Sequence, residues 1–346
     1  MNTTIAVLLA QNGLMNGAIY ALLALVLVMV FSVTRVILIP QGEIVAYAAL
    51  TLAAVRTGQT PGTVWLLCGA GLLAAAMECA AAWRTGGYGG SMKRASLYAV
   101  LPIAIAVLAW TCIPLKPGAW FDVLMTLLLV VPLGPLMYRI AFRPLGDAPV
   151  LVLLIIAMAV HYVLTGLGLV FFGAEGVRSS PIMAGRVQIA GISISLQTLF
   201  VIAASLVMII AMALFFSRTL HGKALRATAF NRTGARLVGI RTESAGMLTF
   251  LLAALIGAVS GLLIAPLTTI YYDTGFLIGL KGFVAGILGG LVSYPLAALG
   301  AVSIGLIESF SSFWASIFKD VIVFSLLIPI LLWRNLKAEE LEENDE

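Results

Sequence analysis

The sequence predicts an all-α polytopic membrane protein with about ten or eleven transmembrane or re-entrant helices. Three observations carry that prediction. Of 346 residues, 62% are hydrophobic and only 10% are charged. A soluble domain carries about 45–50% apolar and about 25% charged residues. The apolar residues also fall in runs close to the roughly 20 residues that a helix needs to cross a bilayer. Finally, the basic residues gather between those runs and form no aromatic-interleaved patch, so the net charge of +5 reflects membrane topology and not nucleic-acid binding.

In chain order the runs place spans near 12–33, 37–55, 63–83, 95–113, 119–138, 150–172 and 194–217. Four more follow near 244–265, 276–292, 295–313 and 320–333. The runs at 276–292 and 320–333 are the shortest. The first basic residue is Arg35, so no charged segment precedes the first run and a cleaved signal peptide is not expected. Cys68, Cys79 and Cys112 lie within apolar runs without CxxC spacing, and read as packing residues.

Basic residues stay on the cytoplasmic side of a membrane protein. With the N-terminus outside, fourteen lysines and arginines fall inside, among them Arg35, Arg84, Lys93, Arg94, Arg139, Arg143, Arg334 and Lys337. Five fall outside, and Lys281 lies within a span. The opposite orientation inverts the ratio. The predicted orientation is therefore N-terminus outside and C-terminus inside, with residues 339–346 an acidic, solvated cytoplasmic tail.

The stretch Ser217–Ser244, SRTLHGKALRATAFNRTGARLVGIRTES, carries six basic residues against the single acid Glu243. It is long enough for two short helices, Lys223–Asn231 and Thr233–Gly239. Two readings stand on the residues alone. One is a docking surface for a cytoplasmic partner, the other an inside loop whose charges only fix topology. Its apolar members, Leu225, Ala229, Phe230, Leu237, Val238 and Ile240, suit a docking groove, with Arg226, Arg232 and Arg236 around it. On the outer side, residues 173–193 alternate as a strand would in their second half, which predicts a small cap or hairpin. That cap is read either as a contact for an external partner or as a passive loop.

Glycine is the second signature, with 34 in the chain and GxxxG spacing at Gly257/Gly261 and Gly282/Gly286. Small residues let helix backbones approach closely in lipid. The segment GFLIGLKGFVAGILGGLVSYP, with its central Lys281, reads as a broken or re-entrant helix of the kind transporters use to hold substrate at mid-membrane. Ionisable residues inside spans are costly and each needs a reason. They are Glu43, Glu78, His161, Lys281 and Glu308. Lys281 and Glu308 lie in neighbouring spans and read equally as a structural pair or a substrate contact. His161 reads as hydrogen-bonded packing.

HExxH, GxSxG and GxxxxGK[ST] are all absent, so no catalytic residue, metal site or ATP-binding loop is expected. The residues alone leave a transporter, either an importer or an ion-coupled carrier using Glu43, Glu308 or His161. The missing catalytic cluster weighs against a membrane enzyme.

Five ordered stretches resemble branched-chain amino-acid ABC transporter permeases of the LivH type. They are GLMNGAIYALLALVLVMVFSVTRVI, PQGE at Pro40–Glu43, FRPLGDAPVL at Phe142–Leu151, GKALRATAFNRTGARLVGI at Gly222–Ile240, and the run from Gly275 to Ser309. The resemblance covers most of residues 12–56 and 119–336. It implies an ABC importer permease fold over residues 1–338 and a subunit that binds no cofactor itself. ATP would be used by separate ATP-binding cassette subunits. A second permease subunit, an extracytoplasmic solute-binding protein and membrane lipid complete the implied partners, in a bacterial inner membrane. The resemblance also implies that the loop 218–243 couples to the ATPase through Gly222, Lys223, Leu225, Arg226, Ala229, Arg232, Ala235, Arg236 and Gly239. Gln41, Glu43, Lys281 and Glu308 are the expected translocation-pathway residues. The chain departs from the family pattern in three places. Gln41 stands where the family commonly has His, and Tyr138 where it commonly has Glu. Residues 57–118 read as an insertion with about two added spans. Urea and short-amide systems use similar permeases, so they remain the alternative substrates.

Overall fold

A computed structural model describes residues 3–85, 88–116, 118–146, 148–183, 185–189, 192–291, 293–325, and the positions 329 and 332. The expected acidic tail at 339–346, and six residues of the span expected at 320–333, lie outside the described residues. Fourteen α-helices and one β-hairpin are described, and the chain divides into two compact units.

The larger unit comprises Met29–Ile182 and Met208–Gly279. Its first element is the end of helix α1 (Thr3–Thr34), which continues from the other unit. Arg35 takes φ 61°, in the left-handed region, and stops the helix. Residues 35–38 then have no helical structure, and helix α2 (Gln41–Thr57) starts behind Pro40. The span expected at 37–55 is therefore shorter and starts later. Pro40 has φ −65°, which suits a helix start, and Gly58 at φ 80° closes the other end. Nearly all of α2 is buried.

Helices α3 (Thr63–Thr85) and α4 (Tyr88–Cys112) form an antiparallel hairpin. Trp65 meets Trp110 with ring centroids 6.4 Å apart, and Gly71 lies against Pro102. Leu67 and Ala74 of the one and Ala106 and Ala109 of the other share a core with α5 (Ala119–Val130) and α6 (Leu133–Met137). A π-helical turn at Tyr138–Phe142 follows, so the apolar segment runs on to Leu145 and not to 138. Next come α7 (Val150–Phe172), the C-terminal part of α8 (Leu196–Arg218), α9 (Leu220–Phe230), α10 (Arg232–Leu237) and α11 (Thr242–Ile264). The unit closes with the start of α12 (Thr274–Leu288). Helix α11 presents small residues to α2: a Cβ at Gly261 would overlap the carbonyl of Val45. Outside α7, Val177 pairs with Ile270 in an antiparallel bridge. Arg56, at the end of α2, donates to the hydroxyls of Ser179 at 3.0 Å and Ser180 at 2.9 Å.

The smaller unit comprises Met1–Val28, Met183–Val207 and Leu280–Glu346. Strands β1 (Arg186–Ile189) and β2 (Ile192–Ser195) pair antiparallel, with Arg186 opposite Ser195. This hairpin stands where the sequence alternates. Helices α13 (Tyr294–Trp314) and α14 (Lys319–Ser325) follow the rest of α12. Gly13 and Gly17 of α1 abut Leu306 and Val302 of α13 at backbone distance.

Eight of the described helices are long and apolar enough to cross a membrane. Helices α2 and α12 have 17 and 15 residues, about 25 and 22 Å at 1.5 Å per residue. That is less than a hydrocarbon core of about 30 Å.

Candidate functional site

His161 lies eleven residues from either end of α7, about 16 Å from each. It therefore sits at the middle of its span. Its Nδ1 is 2.7 Å from Oε1 of Glu43 in the first turn of α2. The first turn of α2 is thus level with the middle of α7. The pairing explains why an acid is tolerated there. Glu43 is 1% exposed, but it has an imidazole partner and stands at the helix end whose amides favour negative charge.

Around this pair the backbones come very close. A Cβ on Gly42 would overlap the carbonyl of Gly275, so the N-terminal turns of α2 and α12 abut with no side chain between them. Phe276 packs on the imidazole with centroids 4.7 Å apart. Gln41 Nε2 donates to the carbonyl of Ala253 at 3.0 Å, in space left by Gly257. Tyr47, one turn beyond Glu43, donates its hydroxyl to the carbonyl of Leu164 at 2.8 Å. Two acceptors, Gln41 Oε1 and Glu43 Oε2, are buried without a donor. The node can therefore accept hydrogen bonds from an ammonium group or from water.

Lys281 and Glu308 belong to the smaller unit. Their side chains form an ion pair, and Lys281 Nζ also lies 3.0 Å from Oδ1 of Asp320. The hydroxyl of Tyr20 donates to the other Glu308 oxygen at 2.6 Å, and its ring centroid is 5.8 Å from the ammonium. Four helices, α1, α12, α13 and α14, are stitched by this cluster. The four expected pathway residues thus fall in two separate groups, Gln41 and Glu43 with His161, and Lys281 and Glu308 with Tyr20 and Asp320.

The basic island folds as two capped helices. Thr219 and Asn231 accept from the amides of Gly222 and Gly234, each at 2.9 Å, as N-cap side chains do. The first helix starts three residues earlier than the sequence suggests, because Thr219 supplies the cap. Leu225 is 1% exposed, in a core with Val33 and Ala245, and Ala229 packs against it. Ala235 is 4% exposed. Leu225, grouped by sequence with the docking face, packs inward against the island's own spans, and Ala235 is buried. Gly222 allows contact with the carbonyl of Phe215, and Gly239 ends the second helix at φ 86°. Arg226 donates to the carbonyl of Phe216, and Lys223 is exposed. The surface the island presents is Leu220, Phe230, Leu237 and Val238, with Phe230 94% and Leu237 84% exposed.

Beside the island is a polar cleft of about 270 Å³ between residues 143–146 and 148, α10 and the start of α11. Arg143, Arg232, Arg236 and Glu243 line it. Arg232 donates to the carbonyl of Gly146 at 2.8 Å, and Arg236 to the hydroxyl of Thr242 at 3.1 Å. Arg143 joins Glu243 at 2.8 Å and Glu78 at 3.0 Å, while Arg139 joins Glu78 at 2.7 Å. The sequence flagged Glu78 as costly but offered no partner for it. The arginine spacing, four residues apart, was the available signal. Among the described residues, no group of three or more His, Cys, Asp or Glu side chains could hold a metal ion.

A family model described as the branched-chain amino acid transport system / permease component matches residues 9–331. This chain belongs to that family. As a permease it is a multi-pass membrane transport subunit and not an enzyme, and ATP hydrolysis resides in separate subunits. A family member of this kind works with ATP-binding and solute-binding partners. Among curated relatives, the high-affinity branched-chain amino acid permease protein LivH of Salmonella typhimurium is 27% identical over 333 residues. That match covers 93% of this chain and 91% of the relative. BraD of Pseudomonas aeruginosa, of the same description, is 29% identical over 237 residues, covering 66% and 76%. The autoinducer 2 import permease LsrC of Yersinia enterocolitica is 34% identical over 87 residues, a quarter of this permease. No solved structure matches the chain.

Proposed function

We propose that this permease forms the membrane passage of an ATP-driven importer for a branched-chain amino acid or a similar small polar solute. The observation that carries the reading is the buried node of Gln41, Glu43 and His161, level with the middle of α7, where the N-terminal ends of two short helices abut. Such helix ends hold substrates in membrane transporters, their amides facing anionic groups. A zwitterion suits the node: its carboxylate meets helix amides, and its ammonium meets the unsatisfied oxygens of Gln41 and Glu43. The relatives named for branched-chain amino acids support that substrate class over urea and short amides.

The same reading gives the chain a second permease subunit as its partner in the membrane, with ATPases docked on the exposed face of the island. The long apolar faces of α7 and α8, with Val163, Val170, Val207 and Ile210 exposed, suit lipid or that subunit. No cofactor is bound by the chain itself. Its N-terminus and residues 173–193 lie outside, and its C-terminus and the island inside, in a bacterial inner membrane.

Reconstitution in liposomes with its ATPases and binding protein tests the reading. ATP inside should drive uptake of radiolabelled leucine, isoleucine or valine, with urea and acetamide left outside. Uptake that needs an ion gradient and no ATP would replace the importer by an ion-coupled carrier using the Glu43–His161 pair. Impermeant thiol labelling of single cysteines at 180 and 230 tests orientation. Labelling of intact cells at 230 but not at 180 would reverse it.

A further inference from the structure

We propose that Glu78 positions the cytoplasmic cleft beside the island, which makes the α3–α4 hairpin part of the coupling apparatus. The inference rests on the coupling reading above and gives the added spans a task.

Glu78 is the sole acid between residues 57 and 118. It is buried near the end of a membrane-spanning helix, where a charge is costly. The hairpin does not need it for attachment, because Leu67, Ala74, Ala106 and Ala109 already pack on α5 and α6. A buried ion pair adds little stability compared with apolar residues of the same size. What it does supply is geometry. One carboxylate oxygen accepts from Arg139 Nε at 2.7 Å and from Arg143 at 3.0 Å. On the same turn Tyr138 and Phe142 place their rings 5.0 and 5.2 Å from Phe250 of α11. Two pairs, each four residues apart, thus fix the rotation of the π-helical turn, one against the hairpin and one against α11.

Arg143 is the bridge. One terminal nitrogen holds Glu78, and the other reaches Glu243 at 2.8 Å in the first turn of α11. The same side chain lines the cleft that Arg232 and Arg236 face. Arg143 thereby ties the hairpin to the first turn of α11, which directly follows the island. Movement of the docked ATPase is thereby felt at the hairpin, and the hairpin's position sets where Arg143 stands. Glu78 acts through arginine and is a positioning residue.

The test uses the full transporter in liposomes, reading ATP hydrolysed per solute imported alongside permease abundance and ATPase retention. Glu78→Leu combined with Arg139→Leu replaces the buried pair by apolar side chains and should leave abundance and ATPase retention near normal. The ATP cost per solute should rise at least about fivefold, the low end of typical coupling between sites. Glu78→Gln should raise it in the same direction, and Glu78→Asp should restore it. An unchanged ratio in both the double variant and Glu78→Gln overturns the proposal. So does loss of the permease from the membrane in the double variant, which would make Glu78 a folding residue. Phe230→Asp separates the two levels. If it leaves uptake and ATPase binding intact, the coupling reading itself fails. If it uncouples while the Glu78 variants do not, only the role of the hairpin falls.

Discussion

Glu43 and His161 are 118 positions apart in the chain and 2.7 Å apart in the membrane. Their contact fixes the depth of α2, because His161 is the midpoint of a full span. It also turns two isolated liabilities into one buried polar unit with spare acceptor capacity on Glu43 Oε2. Removing one partner of a hydrogen bond to a buried charged group costs about 1.5–3 kcal/mol. If that cost falls on the transport-competent state, Glu43→Ala should cut uptake by roughly ten- to a hundredfold, at a factor of ten per 1.4 kcal/mol. Glu43→Gln keeps the shape and should lose less. Uptake by Glu43→Gln, His161→Gln and the double variant should be non-additive, as for residues in one network. Strictly additive losses would show that the two act separately.

Gly42 offers a purely steric test of the same node. A Cβ there would overlap the backbone of Gly275, which cannot move as a flexible side chain can. Overpacking of this kind costs about 1–3 kcal/mol, so Gly42→Ala should depress both uptake and the melting temperature of the purified complex. Gly69→Ala and Gly166→Ala are the controls, since a Cβ at either meets open space. Equal behaviour of all three would mean that the two helix ends do not require their close approach.

The membrane class and most spans were legible because an apolar run of about 20 residues matches the thickness of the bilayer core. The exceptions have physical causes. Residues 37–55 read as one span, yet the chain is not helical until Gln41, since Arg35 breaks α1 with a left-handed turn that no sequence rule demands of an arginine. The π-helical turn at Tyr138–Phe142 has no pattern of its own. The island's two helices were legible from its length, but the caps Thr219 and Asn231 that set their starts were not, and neither were its faces. Leu225 and Phe230 are equally apolar in sequence, and only tertiary packing sends one inward and the other outward. The Glu78–Arg143–Glu243 chain joins residues 65 and 100 positions apart, beyond the reach of local spacing.

The Lys281 cluster should prove structural in one respect and sensitive in another. Lys281→Met leaves two acids facing each other around Tyr20, and breaking a buried pair costs about 3–5 kcal/mol. Its abundance in the membrane should fall sharply. Adding Glu308→Gln removes the more buried of the two charges and keeps an acceptor for the Tyr20 hydroxyl, so abundance should recover in part. Lys281→Arg should fall between. A double variant no more abundant than Lys281→Met would mean that the two side chains do not offset each other.

The island separates anchoring residues from presenting ones, and substitutions in the two sets should fail differently. Phe230, Leu237 and Val238 expose large apolar surface although their helices are capped and held to the spans. Apolar side chains this exposed suit burial against a partner. A few central side chains carry most interface energy, each worth more than about 2 kcal/mol. Phe230→Asp or Leu237→Asp should therefore strip the ATPase from the membrane and abolish uptake, with permease abundance near normal. Leu225→Ala instead opens a cavity in the core with Val33 and Ala245, at about 2–5 kcal/mol. Ala235→Asp places a charge at a buried position. Both should lower the thermal stability or abundance of the permease as well as its uptake. Co-purification of the ATPase, read against permease abundance, distinguishes the two outcomes. ATPase retained at full level by both Phe230→Asp and Leu237→Asp would leave the island with topology as its whole purpose.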